Sequence, residues 1–324
     1  MRAPRGRRSS GRRGTGLRVY TVSGLAFDTA LRFPELASGC STPEVGLSVS
    51  DGCAFHWPVG TEWGHRASLP DGRAWPAFGR YPAGYLLDFE HVCGFLISEG
   101  GSKVTAVPKP GIRASAVQRL FLDQVIPLLL HLKGRECLHA SAVLTPNGAC
   151  ALLGPSGAGK STLAAKLALA GHALLSDDCL AIQESAGEIL VLPGNRGSKL
   201  WPDSAEALLT PATRLPGVAG YEAKRLLASD RTADQPAPLR RIYILTPLPL
   251  GAPVRIVPAT PQETIPALLE AAFRLDLHDT NLLSRQFQFL LQVAAKVPIR
   301  QLIYPQDFGA LPEVCARILE DAAL

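Results

Sequence analysis

Apolar residues alternate with a period of two through the first third of the chain and change to a helical period near residue 115. Val45, Leu47 and Val49 alternate ahead of Asp51 and Gly52, and Phe95 and Ile97 lead into Glu99, Gly100 and Gly101 with Val104 and Val107 beyond. Both patterns predict β-hairpins. Trp57, Trp63 and Trp75 among prolines predict a long irregular connection over residues 57–82. From Ser115 to Leu132, Val117, Leu120, Phe121, Val125, Leu128, Leu129 and Leu132 fall on one helical face. That stripe predicts a helix, kinked by Pro127, bridging the β-rich region to the remainder of the chain.

The next segment reads as strand, turn, strand. Residues 137–144 are β-prone, Thr145, Pro146, Asn147 and Gly148 form a turn signal, and residues 149–153 return. With Pro146 and Asn147 at the tip of a tight hairpin, cross-strand partners sum to 293, which sets His139 opposite Gly154. Leu163, Leu167 and Ala170 then predict a helix from Ser161 to Gly171. A second apolar run, Ala173 to Leu175, ends in Ser176, Asp177 and Asp178 and is expected close beside the first in the sheet. Beyond it we expect strands over 179–200 broken by Pro193 and Gly194, and a mobile segment over 202–238. A strand over Ile242–Leu245, two helices over 262–297, a strand over 299–304 and a closing helix over 311–323 complete the pattern.

Chemistry concentrates between the returning strand and the helix. Gly154, Pro155, Ser156, Gly157, Ala158, Gly159, Lys160 and Ser161, followed by Thr162, fit the phosphate-loop pattern G-x-x-x-x-G-K-[ST] at every required position. The glycines let backbone N–H groups turn inward around phosphate oxygens, and the helix start adds its unpaired N–H groups and positive dipole end. Such a site takes ATP, with Lys160 on the terminal phosphates and the Ser161 hydroxyl on Mg²⁺. Asp177 lies only seventeen residues after Lys160. In an open α/β sheet, Asp177 and Asp178 should therefore project beside the phosphates. One can take a proton from an attacking hydroxyl while the other serves the metal. His139 at the loop mouth would stabilise phosphate charge or assist the acid-base carboxylate. Lys224 and Arg225, or Arg240 and Arg241, are candidates for neutralising transition-state charge, with solvated surface charge as the alternative for each pair.

Composition bounds the picture. The chain has 324 residues, 47% hydrophobic, and no apolar run near eighteen residues, so no membrane span is expected. Seven cysteines without a C-x-x-C pair fit reduced thiols in a cytoplasm. Cys179, next to Asp178, is either a reactive thiol near the site or a small buried residue. His56, His65 and His91 are too loosely spaced for a metal site. Residues 1–18 hold seven arginines and no acid, and without them the formal charge falls from +5 to −2. We expect a disordered tail there, a β-rich recognition or oligomerisation domain over 19–112, and a nucleotide-binding catalytic domain over 113–324.

His139 and Ala140, the loop from Gly154 to Ser161, Gly171 and His172, then Asp177 and Asp178 resemble in order and spacing the catalytic domain of the HPr kinase/phosphorylases. Those serine kinases have a phosphate-loop fold similar to that of the phosphoenolpyruvate carboxykinases. The resemblance is specific over residues 137–182. It implies an α/β phosphate-loop kinase core with a smaller β-rich N-terminal domain. It also implies Asp177 as acid-base, His139 as its assistant, Lys160 on the phosphates and Ser161 on Mg²⁺. The bifunctional enzymes carry a downstream Glu-x-Arg-Gly core; here the nearest stretch is Gly194, Asn195, Arg196 and Gly197, without that Glu, so phosphorylase activity is not expected. The stretches 138–143, 199–204, 223–227 and 239–245 look more like the HPr kinase-like proteins found with lasso-peptide biosynthetic genes.

Three classes of function remain open. The first is a kinase acting on a serine-type hydroxyl of a peptide or protein, a lasso precursor peptide being one such acceptor. The second is a small-molecule kinase, adenylylsulfate-kinase-like or acting on free serine. The third is a nucleotide-binding regulator without transfer. A transporter ATPase is disfavoured because no LSGGQ-like signature and no strand ending in Asp-Glu occurs after residue 180. Nucleic acid is not an expected partner, and a homo-oligomer is left open.

Overall fold

The computed structural model describes residues 16–50, 57–68, 74–194, 196–210, 213–218, 221–229, 231–274, 276 and 278–324. Most of the arginine-rich tail, Cys53, His56 and Asn195 lie outside the described residues.

The first unit is an eight-stranded sheet of β1 (Arg18–Val22), β2 (Leu25–Thr29), β3 (Val45–Val49), β4 (Glu62–Ser68), β5 (Ala74–Tyr81), β6 (Gly84–Phe89), β7 (Cys93–Ser98) and β8 (Lys103–Pro108). Its strand order is β1-β2-β3-β8-β7-β6-β5-β4. The expected β7–β8 hairpin is present, with Ile97 opposite Val104. The alternation of Val45 and Leu47 has a different cause from the hairpin expected of it. β3 runs parallel to both β2 and β8, and its apolar face is buried between them. The stretch expected to be irregular holds the antiparallel pair β4 and β5. Pro76, Gly64 and Gly79 masked a strand pattern whose partner is supplied by β6. A tighter turn joins β1 and β2, where Ser23 and Gly24 both adopt positive φ (53° and 70°), as a two-residue turn of the right twist requires.

The helix expected over 115–132 is α1 (Ala114–Leu120), a π-helical turn (Phe121–Val125) and α2 (Ile126–Leu132). Pro127 has no N–H and its ring would strike the carbonyl of Asp123; the widened turn relieves both problems without a break. The apolar stripe packs on the first sheet, with the Phe121 and Phe27 ring centroids 5.0 Å apart. By burial, then, this helix joins the N-terminal sheet, although Cys137, Ala181 and Leu192 of the second unit share the same core.

The second unit begins with β9 (Glu136–Leu138), β10 (Ala140–Thr145), β11 (Gly148–Leu153), α3 (Lys160–Leu169), β12 (Ala173–Ser176), β13 (Leu180–Ser185) and β14 (Glu188–Val191). It continues through β15 (Gly197–Leu200), α4 (Pro202–Leu208), β16 (Gly217–Val218), β17 (Tyr221–Ala228), β18 (Ala237–Leu248) and β19 (Arg255–Pro258). It closes with α5 (Pro261–Ala271), α6 (Thr280–Lys296), β20 (Ile299–Pro305) and α7 (Leu311–Ala322). β11, β18 and β20 are parallel neighbours, and β10 lies antiparallel between β11 and β12. The two strands expected side by side, β11 and β12, are thus one strand apart and point the same way.

Both faces of β11 are covered, which is why its sequence reads as a continuous apolar run. Cys150 and Leu152 pack with α3 and α7, whereas Ala149, Ala151 and Leu153 pack towards α5 and α6. The fold is α/β. Residues 202–238, expected to be mobile, include α4, β16 and β17, and β17 joins β15 in a small sheet in which Leu200 pairs with Arg225. Among the described residues, no helix is long and apolar enough to cross a membrane.

Candidate active site

The central strand β11 ends at Leu153, and the glycine-rich turn delivers the chain into α3 at Lys160. Gly157 and Gly159 have φ of 86° and 94°, in the region where an L side chain is strained. A Cβ on Gly157 would meet no protein atom within 4 Å, so this corner of the loop faces open space. Gly159 is the residue ahead of α3 and offers no side-chain cap, leaving the first N–H groups of the helix for a ligand. The loop is braced from within. Lys160 Nζ donates to the carbonyls of Gly154 (2.7 Å) and Pro155 (3.1 Å), and the Tyr304 hydroxyl donates to the Ala158 carbonyl.

A cavity of about 780 Å³ opens over this loop, and its walls include His139, Lys160, Ser161, Asp178, Lys199 and Lys224. The tight hairpin has the expected register. Ala140 lies opposite Leu153 and Thr145 opposite Gly148, which puts His139 at the loop mouth, in the break between β9 and β10. Its Nδ1 lies 3.2 Å from the Asp178 carbonyl oxygen. Desolvation, followed by the Lys160 charge, pushes the His139 pKa down, so the ring is neutral near pH 7.

The two adjacent carboxylates have opposite surroundings. Asp177 is 1% exposed. Its Oδ1 accepts from Ser141 Oγ at 2.5 Å and its Oδ2 from the Lys199 backbone N–H at 3.0 Å, and the Ser161 hydroxyl nearby favours its charge. Burial, then the neighbouring Asp178 charge, raises its pKa. Asp178 lies on the cavity wall in a left-handed conformation (φ 68°). Burial opposes its charge, but Lys199 and Lys224 outweigh that and pull its pKa down to about 2. Both carboxylates were expected to project beside the phosphates. Only Asp178 lines the cavity, and Asp177 stands behind Ser161.

Lys199 holds this arrangement together and was not among the residues singled out from the sequence for chemistry. Its side chain is 3% exposed, with Nζ 2.8 Å from Asp123 Oδ1 and 2.9 Å from Asp178 Oδ2. Burial disfavours the ammonium, yet Asp123 and Asp178 together keep its pKa above the ordinary lysine value. Asp123 comes from the π-turn between α1 and α2, so the N-terminal unit reaches the site through this pair. Two signals were available in the sequence: a lysine inside a strand otherwise built for burial, and an acid amid the apolar residues of the helix. Ser141 and Tyr304 carried no comparable signal.

The remaining candidates separate. Lys224 lines the cavity, with Nζ 5.3 Å from the Trp201 ring centroid. Arg225 alternates to the other side of β17, where its guanidinium bonds to the Lys224 carbonyl. Arg240 pairs with Glu188 at 2.8 Å, and Arg241 with Asp321 at 3.2 Å. β18 runs parallel to β11 with Leu239 beside Ala149 and Arg241 beside Cys150, so both arginines lie at the foot of the sheet, a strand's length from the loop. Arg240 and Arg241 therefore lie away from the loop, and Arg225 does not line the cavity as Lys224 does. Arg240→Ala should leave nucleotide turnover unchanged and alter stability by less than about 1 kcal/mol, as for other exposed ion pairs, in a urea unfolding series. Thr162 lines the cavity, but its hydroxyl donates to Ser204 Oγ at 3.0 Å and ties α3 to α4.

Among the described residues, no group of three or more His, Cys, Asp or Glu could hold a metal ion by itself. Mg²⁺ asks for less, since it is bound by one or two protein ligands together with substrate phosphates. The Ser161 hydroxyl and the Asp178 carboxylate, both on the cavity wall, fit that demand.

No family model matches the chain, and no curated protein matches it. Among solved structures, the Hpr(Ser) kinase/phosphatase from Coxiella burnetii aligns with 58% of this chain and 97% of its own at 13% identity, with a TM-score of 0.30.

Proposed function

We propose that the chain is a kinase that transfers the γ-phosphoryl group of ATP to a serine-type hydroxyl of a peptide or protein. The observation that carries this is the pair Asp177 and Asp178 beside a glycine-rich loop, with pKa values driven in opposite directions by their surroundings. Such a divided pair supplies one group able to exchange a proton and one that stays ionised. Asp177, with its raised pKa, is the proton acceptor. Asp178 is the fixed anion that holds Lys199 and Lys224 at the wall. Lys160 turns from the loop carbonyls to the phosphates, and the neutral His139 donates or accepts a hydrogen bond at the transferred group. Ser161 and Asp178, both on the cavity wall, would hold Mg²⁺, which supplies charge neutralisation at the phosphates.

A second cavity of about 430 Å³ meets the first at His139, Ser156, Asp178, Lys199 and Lys224, and continues between α2 and the end of α5. In-line transfer needs donor and acceptor on opposite sides of the moving group, and two cavities joined at His139 and Asp178 supply that. The acceptor hydroxyl enters through the second. A peptide such as a lasso precursor is the class we favour. The modest volume also admits free serine, which is the reason to keep the small-molecule reading.

Transfer of labelled γ-phosphate to serine-ending peptides, free serine and the HPr protein separates these. Labelled peptide supports the proposal, labelled serine alone supports the small-molecule kinase, and ATP binding without labelling of any acceptor favours a regulator. Access favours a different base, since Asp178 is the carboxylate on the cavity wall. The pH profile of transfer distinguishes the two. With Asp177 as base, the rate falls as pH drops through a value above the ordinary carboxylate range. With Asp178 as base, the rate stays flat through about pH 4, the usual aspartate range.

A further inference from the structure

We propose that Cys137 and Cys179 form a redox-active dithiol, and that its oxidation to a disulfide displaces the turn carrying Asp177 and Asp178. The disulfide stands on geometry alone; its effect on transfer rests on the kinase reading above.

Cys137 lies in β9, and Cys179 immediately precedes the antiparallel neighbour β13. Cys137 pairs with Ala181, so Cys179, two residues earlier on the same face, is its diagonal neighbour. Both side chains pack in the same apolar core, and both line the second cavity. Cys137 is buried and Cys179 is partly exposed, so a small oxidant entering that cavity meets Cys179 first. Among the described residues, the other cysteines (Cys40, Cys93, Cys150 and Cys315) lie elsewhere in the fold and do not line this cavity.

With hydrogen peroxide as oxidant the reaction balances in two steps. The Cys179 thiolate attacks one peroxide oxygen, giving a sulfenic acid and hydroxide. The Cys137 sulfur then displaces the sulfenic oxygen, its proton leaving with that oxygen as water. Two thiols and one peroxide yield one disulfide and two waters.

The bond pulls on one side only. Cys137 sits in β9, held by β13 and by the Phe273 N–H donating to its carbonyl at 2.9 Å. Cys179 lies in the turn before β13, where its N–H bonds to the Asp177 carbonyl at 2.9 Å and its carbonyl accepts from Ser176 Oγ at 2.6 Å. A disulfide needs its sulfurs at about 2.05 Å, well inside non-bonded contact. The turn makes that approach. Asp178, already at positive φ, has little freedom to absorb it.

The test treats the full-length protein with hydrogen peroxide and reads intact mass, a non-reducing peptide map and γ-phosphate turnover, before and after dithiothreitol. We expect loss of two hydrogen atoms, a linked pair of peptides containing Cys137 and Cys179, and turnover reduced roughly 10²-fold, the effect of misplacing a catalytic group by about 1 Å. Dithiothreitol should restore both mass and turnover, and Cys137→Ala should retain turnover in peroxide. Thiols that persist at these positions, or a disulfide joining other cysteines, overturn the proposal. A Cys137–Cys179 disulfide with unchanged turnover overturns the switch. If the reduced protein turns over no ATP while the disulfide still forms, the kinase reading fails and the dithiol stands.

Discussion

Asp177→Asn is expected to lower phosphoryl transfer by about 10²–10⁴-fold, the range for removing a general base, while ATP binding is retained. The side chains are nearly isosteric, and the loop that meets the phosphates, Gly154 to Ser161, is braced by Lys160 and Tyr304 rather than by Asp177. What changes is the capacity to take a proton at a site that burial has tuned upward. Folding should tolerate the change, because the substitution removes a buried charge while one oxygen stays available to Ser141 or the Lys199 N–H. A single-turnover assay beside a nucleotide titration separates the two effects. A variant that folds and binds but transfers at the wild-type rate removes Asp177 from the chemistry.

Lys199→Met should be the most destabilising single change at the site, by about 3–5 kcal/mol in a denaturant series, because it leaves buried carboxylates without their cation. Among the described residues, Asp123 would keep only the distant Arg119, 3.9 Å away, and its Oδ2 already lacks a hydrogen-bond partner. Asp178 would lose the ammonium that is the leading cause holding its pKa near 2. The sign of the pH effect is set by that shift. A depressed aspartate pKa contributes stability that is present above the ordinary aspartate range and lost as pH falls towards the folded value of about 2. Lys199→Met should therefore weaken the protein most near neutrality and less in acid. The double variant Asp123→Asn with Lys199→Met should recover part of the loss, and failure to recover any would mean that packing, not charge, is what Lys199 supplies.

The sequence was most legible where chain connectivity leaves little choice. Pro146 and Asn147 close a two-residue turn, so the pairing of Ala140 with Leu153, and with it the position of His139, could be counted off directly. The loop and its helix were legible because positive φ at Gly157 and Gly159 is a local demand. Tertiary partners were less legible. Lys199 meets Asp123 across 76 positions of chain, and neither neighbour in sequence hints at the other. Arg240 and Arg241 resemble phosphate contacts by charge alone; which end of β18 they occupy depends on its parallel register with β11. The alternation of Val45 and Leu47 marks a buried strand face but says nothing about strand direction, and both neighbours proved parallel.

Whether Asp177 moves a proton during phosphoryl transfer is decided by a calorimetric titration of wild type and Asp177→Asn with ATP·Mg²⁺, coupled on the same samples to the fate of labelled γ-phosphate with serine-ending peptides present. Both proteins should bind ATP, and only the wild type should move the label onto a peptide. Failure of the wild type to bind ATP, or equal labelling by both proteins, would contradict this.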